Sequence, residues 1–205
     1  MIKDILITIL FYQHLCYIGL IIFKNNFMKN LITLLLLCSV SLNLLQAQNY
    51  KGIDKSPLDM IEFPSSNSET NKLIRVLYSR PQLNGRDITK LVPDGKLWRV
   101  GANEATELTL YVPMQVGGKI LDVGSYTIYA IPNLEKMTII INKATHVWGS
   151  YSYNESLDVT RVDVPISESI ESLEALSMAF EASGSDVNLY AGWGTYRVMV
   201  EFTQP

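Results

Sequence analysis

Apolar and polar side chains alternate along Thr106–Val112, TELTLYV. The leucines and valine at positions 108, 110 and 112 fall on one face, and the residues between them fall on the other. A period of two is the pattern of a β-strand that buries one face. The same period recurs before and after this stretch, so we take it as the organising pattern of the chain.

Seven further strands are predicted from the same alternation and from turn residues between the runs. They are Leu73–Ser79, Ser125–Ile131, Met137–Asn142, Val159–Ile166, Leu176–Phe180, Val187–Trp193 and Tyr196–Phe202. Short strands with close turns and little helix predict an all-β fold, an antiparallel β-sandwich or jelly-roll-like single domain.

The connections contain residues suited to tight turns. Paired glycines in Val116–Lys119, VGGK, predict a two-residue hairpin, because glycine accepts the positive φ that such a loop requires. Gly194 predicts a turn or bulge between the last two strands. One helical turn is predicted at Asp87–Leu91, with Asp87 as its cap. Ser167–Leu173 is compatible with helix or with the start of a strand.

The first 47 residues have the character of a leader. The second of their two apolar stretches, Leu31–Leu45, follows Met28-Lys29 and ends in Leu45-Gln46-Ala47. That layout predicts a signal peptide at 28–47, cleaved after Ala47, and an exported, periplasmic or extracellular protein. Residues 1–27 have two alternative interpretations. They are either a mis-assigned extension before a true start at Met28, or a membrane segment. A membrane segment could pair with Leu31–Leu45 as a hairpin anchor.

Residues 48–205 are expected to form a single β-rich domain. The leader holds three of the 17 basic and one of the 20 acidic residues, so residues 48–205 carry a net charge of −5. A negative charge argues against nucleic-acid binding. Both cysteines lie in the leader and His146 is the one histidine beyond it, so we expect no metal site. The sequence contains no phosphate loop or dinucleotide motif, so we expect no cofactor. Membrane contact is expected only through an uncleaved leader.

Polar and aromatic residues gather near the predicted strand ends. Trp98–Thr106, WRVGANEAT, places Arg99, Asn103 and Glu104 within six residues on a small-residue background. The remaining candidate ligand-binding residues are Arg80, Arg86, Trp148, Tyr153 and Asp158. Since a half-buried guanidinium must meet a carboxylate or backbone oxygens, we expect Glu104 or Asp158 beside Arg80. The alternative is a structural ion-pair cluster that closes one end of the sandwich.

The segment Val76–Thr106, VLYSRPQLNGRDITKLVPDGKLWRVGANEAT, resembles the signature of a bacterial family of exported proteins of unknown function, DUF 2911. The likeness continues through GGKILDVGSYTIYAIP, IINK, WGSYSY and DVTRV to the final strand, and so covers nearly all of residues 48–205. It implies a shared β-rich domain and no defined activity. The matching positions are Tyr78, Arg80, Pro81, Gly85, Arg86, Trp98, Arg99, Gly101, Ala102, Asn103, Glu104, Thr106, Asp158 and Arg161.

The sequence departs from the family pattern at three places. Asp94 stands where tyrosine is usual, Val100 where threonine is usual, and Thr89-Lys90 where a Phe-Gly pair is usual. If those aromatic residues line a pocket, the ligand preference of this protein differs from that of its relatives.

Three hypotheses follow for function. The first is a binding protein for a small or extended polar ligand, such as a sugar, a peptide or an anionic metabolite. Its pocket would contain Arg80, Arg86, Arg99, Asn103 and Glu104, with Trp148 and Tyr153 as a flat wall. The second is a hydrolase or lyase with Glu104 as general base, for which the sequence offers no further motif. The third is a structural module of the cell envelope.

Overall fold

The computed structural model describes residues 2–42 and 48–205, and the chain divides into two compact units, Met1–Gly52 and Ile53–Pro205. In the first unit, helix α1 spans Ile2–Leu42 without a break. The helix contains the first apolar stretch and most of the second, so the two do not form a hairpin. Among the described residues, no helix combines the length and apolar character needed to cross a membrane. The predicted cleavage residues, 45–47, lie outside the described residues.

The described part of the second unit contains ten strands and two short helical turns. The strands are β1 (Leu58–Phe63), β2 (Ile74–Ser79), β3 (Thr106–Leu110), β4 (Met114–Val116), β5 (Lys119–Leu121), β6 (Gly124–Asn133), β7 (Lys136–Asn142), β8 (Asp158–Pro165), β9 (Ser167–Ser183) and β10 (Asp186–Phe202). The helical turns are α2 (Ile88–Leu91) and a 3₁₀ turn at Glu155–Leu157.

Six strands form one antiparallel sheet in the order β1-β2-β3-β6-β7-β8. The long strands β9 and β10 form a separate antiparallel hairpin, and β4 pairs with β5. The prediction of an all-β, sandwich-like domain is therefore confirmed.

The main core lies between the six-stranded sheet and the β9–β10 hairpin. Ile74, Leu108 and Ile141 from the sheet are fully buried and belong to the same apolar cluster as Leu176 and Phe202 from the hairpin. Because successive side chains of a strand point to opposite faces, the alternation in TELTLYV places the leucines of β3 in this core. The outer face of the sheet carries a smaller cluster of Ala105, Tyr129 and Ile140.

Local turn chemistry agrees with the prediction at several points. Gly117 and Gly118 connect β4 to β5, both with positive φ. The Asp87 side chain accepts a hydrogen bond of 2.9 Å from the Thr89 amide and caps α2. The pairing of β9 with β10 shifts register on both sides of Gly194, so this glycine lies in a bulge within β10. The two predicted strands Val187–Trp193 and Tyr196–Phe202 are therefore one continuous strand.

Of the two alternatives left open for Ser167–Leu173, the strand is confirmed: the segment belongs to β9, because its backbone pairs with the second half of β10. One element differs from the prediction. Strand β1 was not predicted. Its sequence, LDMIEF, does not alternate, and as the edge strand of the sheet it has no fully buried position.

Candidate functional site

The WRVGANEAT segment folds into a closed loop that leads directly into the inner strand β3. The Trp98 amide donates to the Ala130 carbonyl at 2.7 Å, and the Ala130 amide donates back at 2.9 Å, so the segment continues the sheet beside β6. The Thr106 hydroxyl then donates a 2.5 Å hydrogen bond to the Val100 carbonyl and closes the loop. At Gly101 a Cβ would lie 3.1 Å from the Ser79 carbonyl oxygen, which explains the absence of a side chain there.

This loop borders a cavity of about 220 Å³. The cavity is lined by Ser56, Pro81, Arg86, Leu91, Trp98, Arg99, Gly101, Ala102 and Trp193. Two of these residues are arginines and none is acidic. We call this space the arginine cavity.

Arg99 has no carboxylate partner in the described part of the chain. Its Nε is buried and makes no hydrogen bond there. A guanidinium loses its hydration when buried, so an unpaired Nε–H is costly unless another acceptor is supplied. Its Nη1 lies close to Gly149 in the loop that follows β7. A Cβ added to that glycine would be 3.2 Å from Arg99 Nη1.

Arg86 is oriented by its own loop and not by an acid. Its Nε donates to the Leu83 carbonyl at 2.8 Å and its Nη2 to the Gln82 carbonyl at 2.6 Å. These bonds hold the guanidinium in one place and leave its positive charge unneutralised by any acid of the described residues.

Arg80 does not line the arginine cavity. Its guanidinium donates to the Leu176 carbonyl at 3.0 Å, to Asp59 Oδ2 at 3.1 Å and to the Ser177 hydroxyl at 2.8 Å. The expectation of Glu104 or Asp158 as its partner is wrong, because Asp59 comes from the unpredicted strand β1. Arg80 therefore links β1 to β9.

Tyr78 takes part in the same link. Its hydroxyl donates to Asp59 Oδ2 at 3.4 Å and accepts from the Met178 amide at 3.1 Å. Burial raises the pKa of Tyr78, and the charge of Asp59 adds to the rise.

Asn103 and Glu104 lie on the part of the loop that pairs with Trp148-Gly149. The Gly149 amide donates to the Asn103 carbonyl at 2.9 Å, and Glu104 forms a β-bridge with Trp148. The Asn103 side chain donates to Asp54 Oδ1 at 3.1 Å. Glu104 and Trp148 are exposed, and neither lines the arginine cavity.

Asp158 and Tyr153 form a second polar group on the outer face of the sheet. Asp158 accepts from Asn142 Nδ2 at 2.7 Å, from the Tyr153 hydroxyl at 2.6 Å and from Arg161 Nε at 2.8 Å. The Tyr153 ring meets the buried Tyr129 ring edge to face, with centroids 5.1 Å apart. Burial, followed by the hydrogen bond to Asp158, raises the pKa of Tyr153 to about 12. Arg161 belongs to the same group, and its Nη2 also donates to the Tyr153 hydroxyl at 2.7 Å.

Of the eight candidate residues, Arg86 and Arg99 share the arginine cavity. Arg80 lies in the link between β1 and β9. Tyr153 and Asp158 belong to the polar group on the outer face of the sheet, which we call the outer group. The other three lie where the WRVGANEAT loop pairs with the loop after β7, and they are Asn103, Glu104 and Trp148. The proposed flat wall of Trp148 and Tyr153 is wrong for this cavity, whose aromatic wall is Trp98 and Trp193. Ser56 carried no signal in the sequence, and Trp193 was predicted only as the last residue of a strand.

Within the part of the chain that the structure describes, no group of three or more histidine, cysteine, aspartate or glutamate side chains is placed to hold a metal ion. Neither the curated proteins nor the solved structures contain a match to this chain. A family model described as a protein of unknown function, DUF2911, matches residues 56–202. That range includes all ten strands and both arginines of the cavity, so the chain belongs to the DUF2911 family.

Proposed function

We propose that this protein is exported and binds a small organic carboxylate in the arginine cavity. The observation that carries the proposal is the pair Arg86 and Arg99. Both border one cavity of about 220 Å³, and neither has an acidic partner among the described residues.

The chemistry of the cavity favours an anion. A guanidinium presents parallel N–H donors that match the two oxygens of a carboxylate, and such charge-assisted bonds are stronger than neutral ones. A bound carboxylate would supply the acceptor that Arg99 Nε lacks. The Ser56 hydroxyl offers a further polar group for orientation, and Trp98 and Trp193 offer flat apolar surface.

The size of the cavity favours a small ligand. Pockets for drug-sized molecules run from roughly 300 to 1,000 Å³, and 220 Å³ falls below that range. A mono- or dicarboxylic acid fits this scale, whereas an extended sugar chain or peptide does not.

The export half of the proposal is supported by the leader pattern, and its test is independent of binding. The protein is expressed in a Gram-negative host, the periplasmic fraction is isolated, and the N-terminal peptide is identified by mass spectrometry. We expect Gln48 as the first residue. Full-length protein confined to the cytoplasm would contradict export.

The binding half is tested by thermal shift of the exported protein with acetate, succinate, citrate and phosphate, and with glucose as a neutral comparison. We expect carboxylates to raise the melting temperature and glucose to leave it unchanged. Arg99→Ala should weaken binding about tenfold to a hundredfold, because a hydrogen bond to a charged group contributes roughly 1.5–3 kcal/mol.

The matched control is Arg75→Ala. Arg75 lies on β2, with its guanidinium over the Tyr111 ring, and it does not line the arginine cavity. Its replacement by alanine changes the net charge by the same amount as Arg99→Ala does. Equal weakening by the two variants would mean that net charge, and not the cavity, governs binding, and would contradict the proposal.

A further inference from the structure

A second cavity lies inside the sandwich. It has a volume of about 50 Å³ and is lined by aliphatic and aromatic residues from both layers, among them Ile139, Met178, Leu189 and Val200. None of its lining residues is charged. We call it the apolar cavity.

The two cavities share part of their walls. Trp98 and Trp193 are the residues that line both. Their rings stack with centroids 6.0 Å apart and planes inclined by 16°. Trp98 is fixed by its backbone pairing with β6, and the indole nitrogen of Trp193 donates to the Glu174 carbonyl at 3.2 Å. A cationic space and an apolar space thus meet at one aromatic pair.

We propose that the ligand is an amphiphilic carboxylate, whose head lies in the arginine cavity and whose short hydrocarbon tail passes the tryptophan pair into the apolar cavity. This inference rests on the proposed function and specifies its ligand class. The head satisfies the two arginines, and the tail fills a space lined almost wholly by hydrocarbon.

The volume of the apolar cavity limits the tail. A water-sized group takes roughly 10–15 Å³ on this measure, so 50 Å³ accommodates roughly three to five heavy atoms. Each buried methylene should tighten binding about fourfold. Affinity should therefore rise along a series of linear carboxylates and then level off, as the tail exceeds the available space.

The test is isothermal titration of the exported protein with acetate, propanoate, butanoate, pentanoate, hexanoate and octanoate. We expect Kd to fall about fourfold per added carbon through butanoate and pentanoate, with no further gain at octanoate. A Kd that is the same for acetate and pentanoate would overturn the inference.

The Ala191→Leu variant separates the two parts of the site, because Ala191 lines the apolar cavity and not the arginine cavity. The added side chain should remove the gain with chain length, so that pentanoate binds this variant no more tightly than acetate does. The matched control is Ala182→Leu, since Ala182 is exposed on β9 and lines neither cavity. It should leave the whole series unchanged.

Fluorescence gives a second measurement that does not require a core substitution. The chain has three tryptophans, and Trp148→Phe removes the exposed one, leaving the pair that borders both cavities. Titration with 5-bromopentanoate should quench this pair with the Kd found by calorimetry. Saturable binding without quenching would place the tail elsewhere and overturn the inference.

Failure of the inference and failure of the proposed function are distinguishable. Acetate binding that depends on Arg99 but gains nothing from a longer tail overturns only the inference. Absence of binding by any carboxylate overturns both. If Arg99→Ala binds each carboxylate as tightly as the wild type does and shows the same gain with chain length, the head does not lie in the arginine cavity. That result also overturns both.

Discussion

The backbone amide of Gly149 donates a 2.9 Å hydrogen bond to the carbonyl oxygen of Asn103. This bond joins the WRVGANEAT loop to the loop after β7, two polar segments that are far apart in sequence. It also sets Gly149 over Arg99, so the position of an arginine that lines the cavity depends on a glycine in the other loop.

We therefore predict that Gly149→Ala is more destabilising than an ordinary substitution at a positive-φ glycine. Gly149 has φ +68°, and a Cβ there would meet the Tyr151 ring at 2.8 Å and Arg99 Nη1 at 3.2 Å. The control is Gly118→Ala in the β4–β5 hairpin, where φ is +78° and nothing lies within 4 Å.

The left-handed conformation alone should cost each variant about 1–2 kcal/mol. Urea unfolding should show a further loss of about 1 kcal/mol in Gly149→Ala, because the Tyr151 ring and Arg99 must move. Equal losses in both variants would mean that Gly149 and Arg99 are not packed together.

Arg80 should stabilise the fold and have no part in ligand binding. Arg80→Met removes three hydrogen bonds that connect β2 with β1 and β9. Since the side chain is 37% exposed and the ion pair is screened by solvent, we expect a loss of only about 1–2 kcal/mol. Acetate affinity should stay within about twofold of the wild type. A large loss of affinity with unchanged stability would return Arg80 to the binding site.

The Asp158 carboxylate should hold the loop after β7 against the sheet. It accepts from three residues and its side chain is only 10% exposed. In Asp158→Asn, hydrogen bonds to a charged group become neutral ones, so we expect a loss of about 1.5–3 kcal/mol in urea unfolding. The matched control is Asp163→Asn, whose carboxylate pairs with Lys136 at the exposed edge of the sheet and should matter little.

Tyr153 should make stability depend on pH in the alkaline range. Its pKa is raised from 10 to about 12 in the folded protein, so the folded state favours the neutral phenol. The stabilisation is complete below pH 10 and is lost as the pH rises from 10 towards 12. Urea unfolding at pH 9 and pH 11 gives the test. Between these two pH values, the free energy of unfolding should fall less in Tyr153→Phe than in the wild type. Identical losses would show that Tyr153 ionises freely in the folded protein.

The period of two in the sequence, together with the turn residues between the runs, was sufficient to predict the inner strands β2, β3, β6 and β7. It failed at β1, because an edge strand with no fully buried position does not need to alternate. Missing β1 also meant missing Asp59, and hence the partner of Arg80. A partner on an unrecognised strand cannot be inferred from the arginine itself.

The candidate site was predictable by residue type and not by arrangement. Arg86 and Arg99 were identified, but the cavity they share is completed by Ser56 and Trp193, which are distant in sequence. The outer group depends on a register shift between β7 and β8, which pairs Asn142 with Asp158. Such shifts follow from packing of the whole sheet and leave no local pattern in the sequence.

The two cavity arginines can be observed directly by NMR spectroscopy. The chain has six arginines, so a ¹⁵N spectrum of their Nε–H groups contains few resonances, and single Arg→Lys variants assign them. On titration with butanoate, we predict saturable shifts of the Arg86 and Arg99 resonances, while those of Arg80 and Arg161 stay in place. Shifts confined to other arginines would contradict the assignment of the arginine cavity as a carboxylate site. The absence of any shift at butanoate concentrations that saturate the protein in calorimetry would contradict it as well.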